Sequence, residues 1–342
     1  MRLMIVTDAW SPQVNGVVVT LVNTVAELER LGHTVELITP EGFRTIPTPS
    51  YPEIPLAVLP GREVARRIDS FEPDAVHIAT EGPLGIAARR HCLRIDQPFT
   101  TAYHTQFPEY VHARCRLPVA ITYAWLRHFH ARSRAVMCGT PAIRDRLAER
   151  GFVNLVLWSR GVDTTLFTPA PREARERERP IFLYVGRVAV EKNIEAFCEL
   201  ALPGTKWVVG DGPARAALQS EYPDVRFFGM QHGRELASFY QQADVFVFPS
   251  RTDTFGLVLI EAMACGTPVA AYPVTGPLDV VTDPSAGVLS ENLESAALAA
   301  LDCDRDAVRR FGQGFSWEAA TRQFAMHLQP RMRAGSMEPV LD

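Results

Sequence analysis

Two acidic residues in the second half of the chain, Asp253 and Glu261, stand eight positions apart across the start of an apolar run. Between them lie Phe255, Gly256 and Leu257. The spacing puts the first acid at the end of a strand, the glycine at the opening of a helix and the second acid inside that helix. Backbone N–H groups at a helix start favour negative charge or polar ligand oxygens. Two carboxylates placed there accept hydrogen bonds from hydroxyls at two points along an extended ligand. The competing reading is a helix cap followed by an exposed glutamate. A second constellation is cationic: Arg187 and Lys192 are five apart on a turn leading into a helix. One planar fork and one point charge suit a diphosphate and offset charge that builds on a departing group. The competing reading is a surface ion pair between Lys192 and Glu191.

A third candidate fails on inspection. Gly210-Asp211-Gly212 follows an apolar strand, but the position of the third glycine in a dinucleotide fingerprint is Arg215. A tight strand-to-helix turn is the better reading. The six cysteines have no CxxC spacing, which supports neither a zinc site nor a disulfide framework. No metal site is expected, and no cofactor. Lys192 and Lys206 are the only lysines, and neither context suggests a pyridoxal lysine.

The elements that position these residues alternate through most of the chain. Leu3–Thr7, Thr34–Thr39, Ala75–Ile78, Phe99–Tyr103 and Ala135–Cys138 read as buried strands, and Val17–Leu31 as a helix. The segment 168–180 breaks the pattern with prolines and alternating Arg and Glu. Strand Ile181–Val185 restarts it, and a helix around Ala319–Leu328 closes it. Strands that are apolar along their length, separated by helices, argue for parallel sheets covered on both faces. The expected organisation is an α/β chain of two Rossmann-like doubly wound domains facing a cleft, 1–167 and 181–312, with a linker at 168–180. A C-terminal helix at 313–334 crosses back.

With 342 residues, 47% of them hydrophobic, the chain supplies two cores. The net charge of −4 does not suggest nucleic acid. Within 86–150, however, there are 11 basic and 4 acidic residues, net +7 by difference. Tyr110, Tyr123, Trp125, Leu126 and Phe129 stand among Arg114, Arg116, Arg127 and Arg132. That composition suits an anionic membrane surface; the alternative is a solvated Arg-rich face. No apolar stretch is long enough to span a bilayer, and the first residues are too short a run for a signal peptide. A cytoplasmic protein, peripheral at the inner face of the cytoplasmic membrane, is the expectation.

The stretch from Pro249 to Pro268 resembles the signature of family 4 glycosyltransferases, in which two acids flank seven residues. The likeness extends over nearly the whole chain. Asn15-Gly16-Val17 resembles their glycine-rich donor loop. Gly161-Val162-Asp163 resembles the segment before their linker, and Val185-Gly186-Arg187 with Glu191-Lys192-Asn193 resembles their diphosphate motif. The departure is Asp253, where the family usually has Glu. Tyr103-His104-Thr105-Gln106-Phe107-Pro108-Glu109-Tyr110 and Tyr272-Pro-Val-Thr-Gly276-Pro277 are similar to the transferases that build diacylglycerol glycolipids.

The resemblance implies a GT-B fold and a retaining, metal-independent hexosyltransferase. Its partners would be a nucleotide-diphosphate sugar (GDP-mannose, UDP-glucose or UDP-glucuronate) and a lipid, glycolipid or glycan acceptor. It implies Glu261 on the ribose and Asp253, with the N–H groups of Phe255, Gly256 and Leu257, on the hexose. Arg187, Lys192 and Gly16 would lie at the diphosphate, backbone groups near Met230 at the base, and His104 at the transferred sugar. Asp8, Arg160 and Asp163 are further candidates. The rival readings are an epimerase or phosphorylase on the same scaffold, or a non-catalytic binding module.

Overall fold

The computed structural model describes residues 1–11, 13, 15–48, 51–104, 107–109, 116–171, 180–253, 255–328 and 330. Tyr110, Arg114, Thr105, Gln106, most of the expected linker and the end of the expected last helix lie outside them. Two compact units are present. The first comprises Met1–Gly139, Arg144–Ser159 and the chain from Thr321 onward; the second comprises Thr140–Ile143 and Arg160–Ala320. Residues 160–167, grouped with the first half in the sequence reading, thus pack in the second unit. There Val162 bridges to Ser316, and the Phe167 ring lies 5.8 Å from that of Tyr240.

In the first half the order is β1 (Arg2–Val6), α1 (Gly16–Arg30), β2 (Thr34–Ile38), β3 (Thr45–Thr48), β4 (Tyr51–Ala57), α2 (Gly61–Phe71), β5 (Ala75–Ile78) and α3 (Pro83–Arg94). Next come β6 (Phe99–Tyr103), α4 (Val119–His130), β7 (Val136–Cys138), α5 (Pro141–Glu149) and β8 (Leu155–Leu157). The strands form a parallel sheet in the order β2-β1-β5-β6-β7-β8, and β3 pairs only with β4 as an antiparallel hairpin. Successive residues of β1 point to opposite faces. Leu3 and Ile5 enter one core with Trp158 and Phe324, while Met4 and Val6 enter another with Ile68 and Leu84. Both faces are covered, which is why the strands are apolar throughout.

The second half runs β9 (Ile181–Val185), α6 (Ile194–Cys198), β10 (Thr205–Val209), α7 (Arg215–Glu221), β11 (Val225–Phe227), α8 (Gly233–Gln242) and β12 (Val245–Phe248). It continues with α9 (Leu257–Ala264), β13 (Val269–Ala271), α10 (Pro277–Val280), β14 (Gly287–Leu289), α11 (Leu293–Ala299), α12 (Arg305–Gly312) and α13 (Trp317–His327). Its parallel sheet has the order β11-β10-β9-β12-β13-β14. The sheet grows outward from β9 on one side, then the chain returns and grows on the other from β12. At such a reversal the loops after the two central strands part, and ligands of this architecture bind in the opening. Again the core is double. Ile181, Leu183 and Val185 face one cluster, and Phe182 and Tyr184 the other.

The first sheet has its own reversal between β1 and β5, and Asp8 fills it. Its carboxylate accepts hydrogen bonds from Thr80 Oγ1 at 2.9 Å, Leu84 N at 2.9 Å and Gly85 N at 3.4 Å, at the start of α3. A Cβ at Gly82 would lie 2.4 Å from that carboxyl group, so glycine is required there. Asp8 is therefore a cap that ties α3 to β1. Replacing it with Ala should destabilise the protein by about 2 kcal/mol in urea unfolding, with the affinity for nucleoside diphosphate unchanged.

Candidate functional site

Among the described residues, three side-chain contacts join the loop after β9 to the loop after β12. Lys192, in a single 3-10 turn at Val190–Lys192, donates to Asp253 Oδ1. Asn193 Nδ2 donates to Pro249 O at 3.1 Å, and Thr252 Oγ1 donates to Glu191 O at 3.2 Å. Among the described residues Lys192 thus pairs with Asp253, 61 residues away, and not with the neighbouring Glu191. The two side chains are only 22% and 16% exposed, so losing one would leave the other as a poorly solvated charge. Asn193 turns the chain into α6 with φ 53°, a left-handed conformation that asparagine tolerates.

Arg187 is exposed on the same loop. Its backbone is held from below: the buried Tyr184 hydroxyl donates to Arg187 O at 2.9 Å. Burial, and after it the charges of Asp253 and Glu191, hold that hydroxyl well above the ordinary tyrosine range. Gly186 has φ 151°, and a Cβ there would meet the Tyr184 hydroxyl at 2.8 Å.

Gly210 and Gly212 acquire a purpose here. Asp211 accepts from Gly212 N at 2.8 Å and from Arg215 Nη1 at 2.9 Å, which closes a tight turn. The turn lies directly against the loop that carries Arg187 and Lys192. A Cβ on Gly210 would sit 1.9 Å from Gly186 O, and one on Gly212 would sit 2.3 Å from Val188 O. These glycines serve close packing of two loop backbones.

Beyond Asp253, Phe255 is buried, and Gly256 enters α9 with φ 83° and ψ 74°. Leu257 is the first helical residue. Gly276, at φ 98°, lets the loop before α10 approach: a Cβ would lie 3.3 Å from Asp253 O and 3.4 Å from Phe255 O. Glu261 lies one turn into α9. Its Oε2 accepts from Tyr240 Oη at 2.7 Å. Burial pushes the carboxyl up to about 7, against the downward pull of the tyrosine hydrogen bond. Met230 is 47% exposed on the loop after β11, next to Gly229, whose carbonyl accepts from Gly210 N at 2.8 Å.

Gly16 and His104 belong to the first unit. Asn15 caps α1, its Oδ1 accepting from Val17 N at 3.0 Å and Val18 N at 3.1 Å, so Gly16 is the first helical residue. His104 follows β6, its ring edge-on to Trp158 at 5.5 Å. Asp163 Oδ1 accepts from Thr165 N, Thr165 Oγ1 and Leu166 N, which makes it a turn cap, and Arg160 is buried. Lys206 donates to the carbonyls of Cys198 and Leu200 at the end of α6, a structural use. Among the described residues no three His, Cys, Asp or Glu side chains cluster.

On the basic segment, α4 corrects the reading of its aromatic residues. Tyr123, Leu126 and Phe129 are buried and pack inward, because a spacing of three puts them on one helix face. Ile121 and Trp125 are the large exposed apolar side chains of α4, at 55% and 41%. Arg127 donates to Arg150 O at 3.0 Å, and it is exposed, as are Arg116 and Arg132.

Comparison with known proteins places this geometry. Residues 14–166 match the family model described as Glycosyltransferase Family 4, and residues 179–302 the one described as Glycosyl transferases group 1. Over 96% of its length the chain is 32% identical to a GDP-mannose-dependent alpha-mannosyltransferase of Mycobacterium tuberculosis, 96% of which is covered. The chain belongs to glycosyltransferase family 4. It is also 28% identical to the alpha-monoglucosyldiacylglycerol synthase of Streptococcus pneumoniae, across 88% of this chain and 78% of that protein. The sucrose-phosphate synthase of Thermosynechococcus elongatus superposes with a TM-score of 0.70 at 22% identity, covering 95% of this chain and 97% of that one. The fold is that of the GT-B glycosyltransferases.

Two outcomes follow from the geometry of this transferase. Gly210→Ala should cost about 2–4 kcal/mol in urea unfolding and weaken nucleotide binding. Gly61→Ala, whose Cβ meets nothing within 4 Å, should do neither. Glu261 is raised from 4.5 to about 7 in the fold, so the folded state holds its proton more tightly than the unfolded chain. Its contribution is therefore lost as pH rises from 4.5 through 7, and above 7 the burial of its charge opposes folding. Ligand-free Glu261→Gln should match the wild type near pH 4.5 and exceed it at pH 8 by up to about 3 kcal/mol, read as the difference between two urea-unfolding series.

Proposed function

We propose that this glycosyltransferase moves a hexose from a nucleoside diphosphate sugar to a diacylglycerol-type lipid or glycolipid, with retention of anomeric configuration and without a metal ion. The observation that carries the proposal is the Lys192–Asp253 contact at the reversal of the second sheet, with Glu261 one helical turn beyond it. A cation beside a carboxylate at that opening supplies one group for the diphosphate and one for sugar hydroxyls. The 32% identity to a GDP-mannose-dependent enzyme favours GDP-mannose as donor, and the likeness to a glucosyldiacylglycerol synthase favours a lipid acceptor.

In this reading Glu261 takes the ribose hydroxyls and Asp253, with the N–H groups of Phe255, Gly256 and Leu257, takes the hexose. Backbone groups beside Met230 meet the base. Arg187 and Lys192 offset the charge that grows on the diphosphate as the glycosidic bond lengthens, the work a metal ion does elsewhere. Gly16 at the start of α1 admits the diphosphate, and His104 orients the reacting sugar. The acceptor hydroxyl attacks from the face the diphosphate leaves, and the diphosphate takes its proton. Exposed Ile121, Trp125, Arg116 and Arg132 support a peripheral contact with the anionic inner face of the cytoplasmic membrane. No helix among the described residues is long and apolar enough to cross one.

The direct test incubates the protein with GDP-mannose, UDP-glucose or UDP-glucuronate in EDTA, with and without diacylglycerol vesicles. One donor should release nucleoside diphosphate in a lipid-dependent way and give an α-linked glycolipid. Lys192→Ala should lower turnover about 100- to 1000-fold. Release independent of lipid would move the acceptor to a soluble glycan; donor-induced thermal stabilisation without release would favour a binding module. Vesicle flotation tests the membrane contact. Binding should require anionic lipid and fall in Trp125→Ala and Arg132→Ala; binding indifferent to lipid charge would remove that part.

A further inference from the structure

The two carboxyl oxygens of Glu261 are not equivalent. One of them, Oε2, accepts from Tyr240 Oη at 2.7 Å. Tyr240 is fully buried on α8, and its ring is wedged edge-on between Phe167 at 5.8 Å and Phe246 at 5.7 Å. Its backbone is fixed as well: Thr267 Oγ1 donates to Tyr240 O at 2.6 Å, and Arg305 Nη2 donates to Thr267 Oγ1 at 3.1 Å. A chain of hydrogen bonds thus runs from α12 through Thr267 and Tyr240 to the carboxyl group of α9. A phenol buried in an apolar cluster satisfies its hydroxyl by bonding to something, and any nearby carbonyl would serve. Here that partner is the carboxyl group assigned to the donor.

We infer that Tyr240 is a positioning residue for the nucleotide: by holding Oε2 of Glu261 it fixes the carboxylate so that the remaining lone pairs meet the two ribose hydroxyls. This rests on the reading that Glu261 binds the ribose. Hydroxyls donate best to a carboxylate rather than to a carboxylic acid. Burial pushes Glu261 up to about 7, and the Tyr240 hydrogen bond pulls it down. Tyr240 therefore also lowers the pH below which nucleotide affinity fades. The groups around Glu261 leave that role to Tyr240. Cys265 follows the end of α9, Tyr184 lies beyond Tyr240, and α12 carries Arg305, which acts on Cys265, and Arg309. Asp279 of α10 accepts from a backbone N–H elsewhere. From β12 and β13 the packing is apolar, through Phe246 and Val269.

The experiment titrates GDP calorimetrically into the full chain between pH 6 and 9, for wild type, Tyr240→Phe, Glu261→Gln and the double variant. Phe fills the same space as Tyr, and thermal melting confirms the fold of each. Tyr240→Phe should weaken GDP about five- to tenfold at pH 7, with the pH midpoint of binding moved upward and much of the loss recovered at pH 9. With donor saturating, kcat should stay near wild type while KM for the donor rises. Glu261→Gln should weaken GDP and remove that midpoint, leaving only the titration of GDP itself. On that background Tyr240→Phe should add less than about twofold, since a shared interaction is lost only once. Thr267→Val, which frees the Tyr240 backbone, should shift the midpoint in the same direction by less. If Tyr240→Phe lowers the melting temperature but leaves affinity and midpoint unmoved, Tyr240 is merely structural and the inference fails alone. If Glu261→Gln binds GDP as wild type does, the ribose reading fails and the inference falls with it.

Discussion

An ammonium group on one loop and a carboxylate on another meet because two neighbouring strands of a parallel sheet send their chains in opposite directions. Lys192 leaves β9 toward one half of the sheet, and Asp253 leaves β12 toward the other. Without the reversal, the two loops would each continue over the same flank. With it, the Lys192–Asp253 contact, the Asn193 amide and the Thr252 hydroxyl tie the two loops together at the carboxyl ends of β9 and β12. The rest of the second unit is arranged to keep those loops still. Tyr184 supports the Arg187 backbone, Gly210 and Gly212 let a third loop lie flat against it, and Gly276 admits the loop before α10.

The opening is electrostatically divided. On the β9 side stand two cations, Arg187 and Lys192. On the β12 side stand a carboxylate at Asp253 and, one turn into α9, a carboxyl group at Glu261 whose burial makes it costly to ionise. In the proposed reading, the cations take the diphosphate and the carboxyl groups take the hydroxyls of the sugars at either end. If Glu261 takes the ribose as proposed, the burial that opposes folding above neutral pH would also strengthen the hydrogen bonds it accepts, stability given up at a site for the sake of binding.

Much of this was legible in the residues. Strands β5, β6 and β9 fall where the sequence puts them, because a strand buried on both faces is a short, uniformly apolar run that turn residues bound sharply. Of the acidic pair, Glu261 stands inside the following helix as the spacing requires, whereas Asp253 lies on the loop after β12 rather than at the strand end. What escaped is what depends on direction. The hairpin β3–β4 is interrupted by Pro47 and Pro55, which hide its alternation. The aromatic residues of the basic segment read as one surface in composition, yet the helix turns Tyr123, Leu126 and Phe129 inward and leaves Ile121 and Trp125 outside. Asp8 and Asp163 carry the right chemistry for a site but spend it on backbone N–H groups nearby. Tyr240 gave no sign, since a tyrosine on the apolar face of a helix reveals its hydroxyl partner only when the neighbouring helix is in place.

The central claim is that the Arg187–Lys192 loop holds a diphosphate at the reversal between β9 and β12. Comparing GDP with guanosine as ligands, by calorimetric titration into wild type, Arg187→Ala and Lys192→Ala, tests it most directly. The account predicts that each variant loses at least about tenfold in GDP affinity while guanosine binds all three proteins alike. GDP binding that survives both substitutions, or a loss shared equally by guanosine, would contradict it.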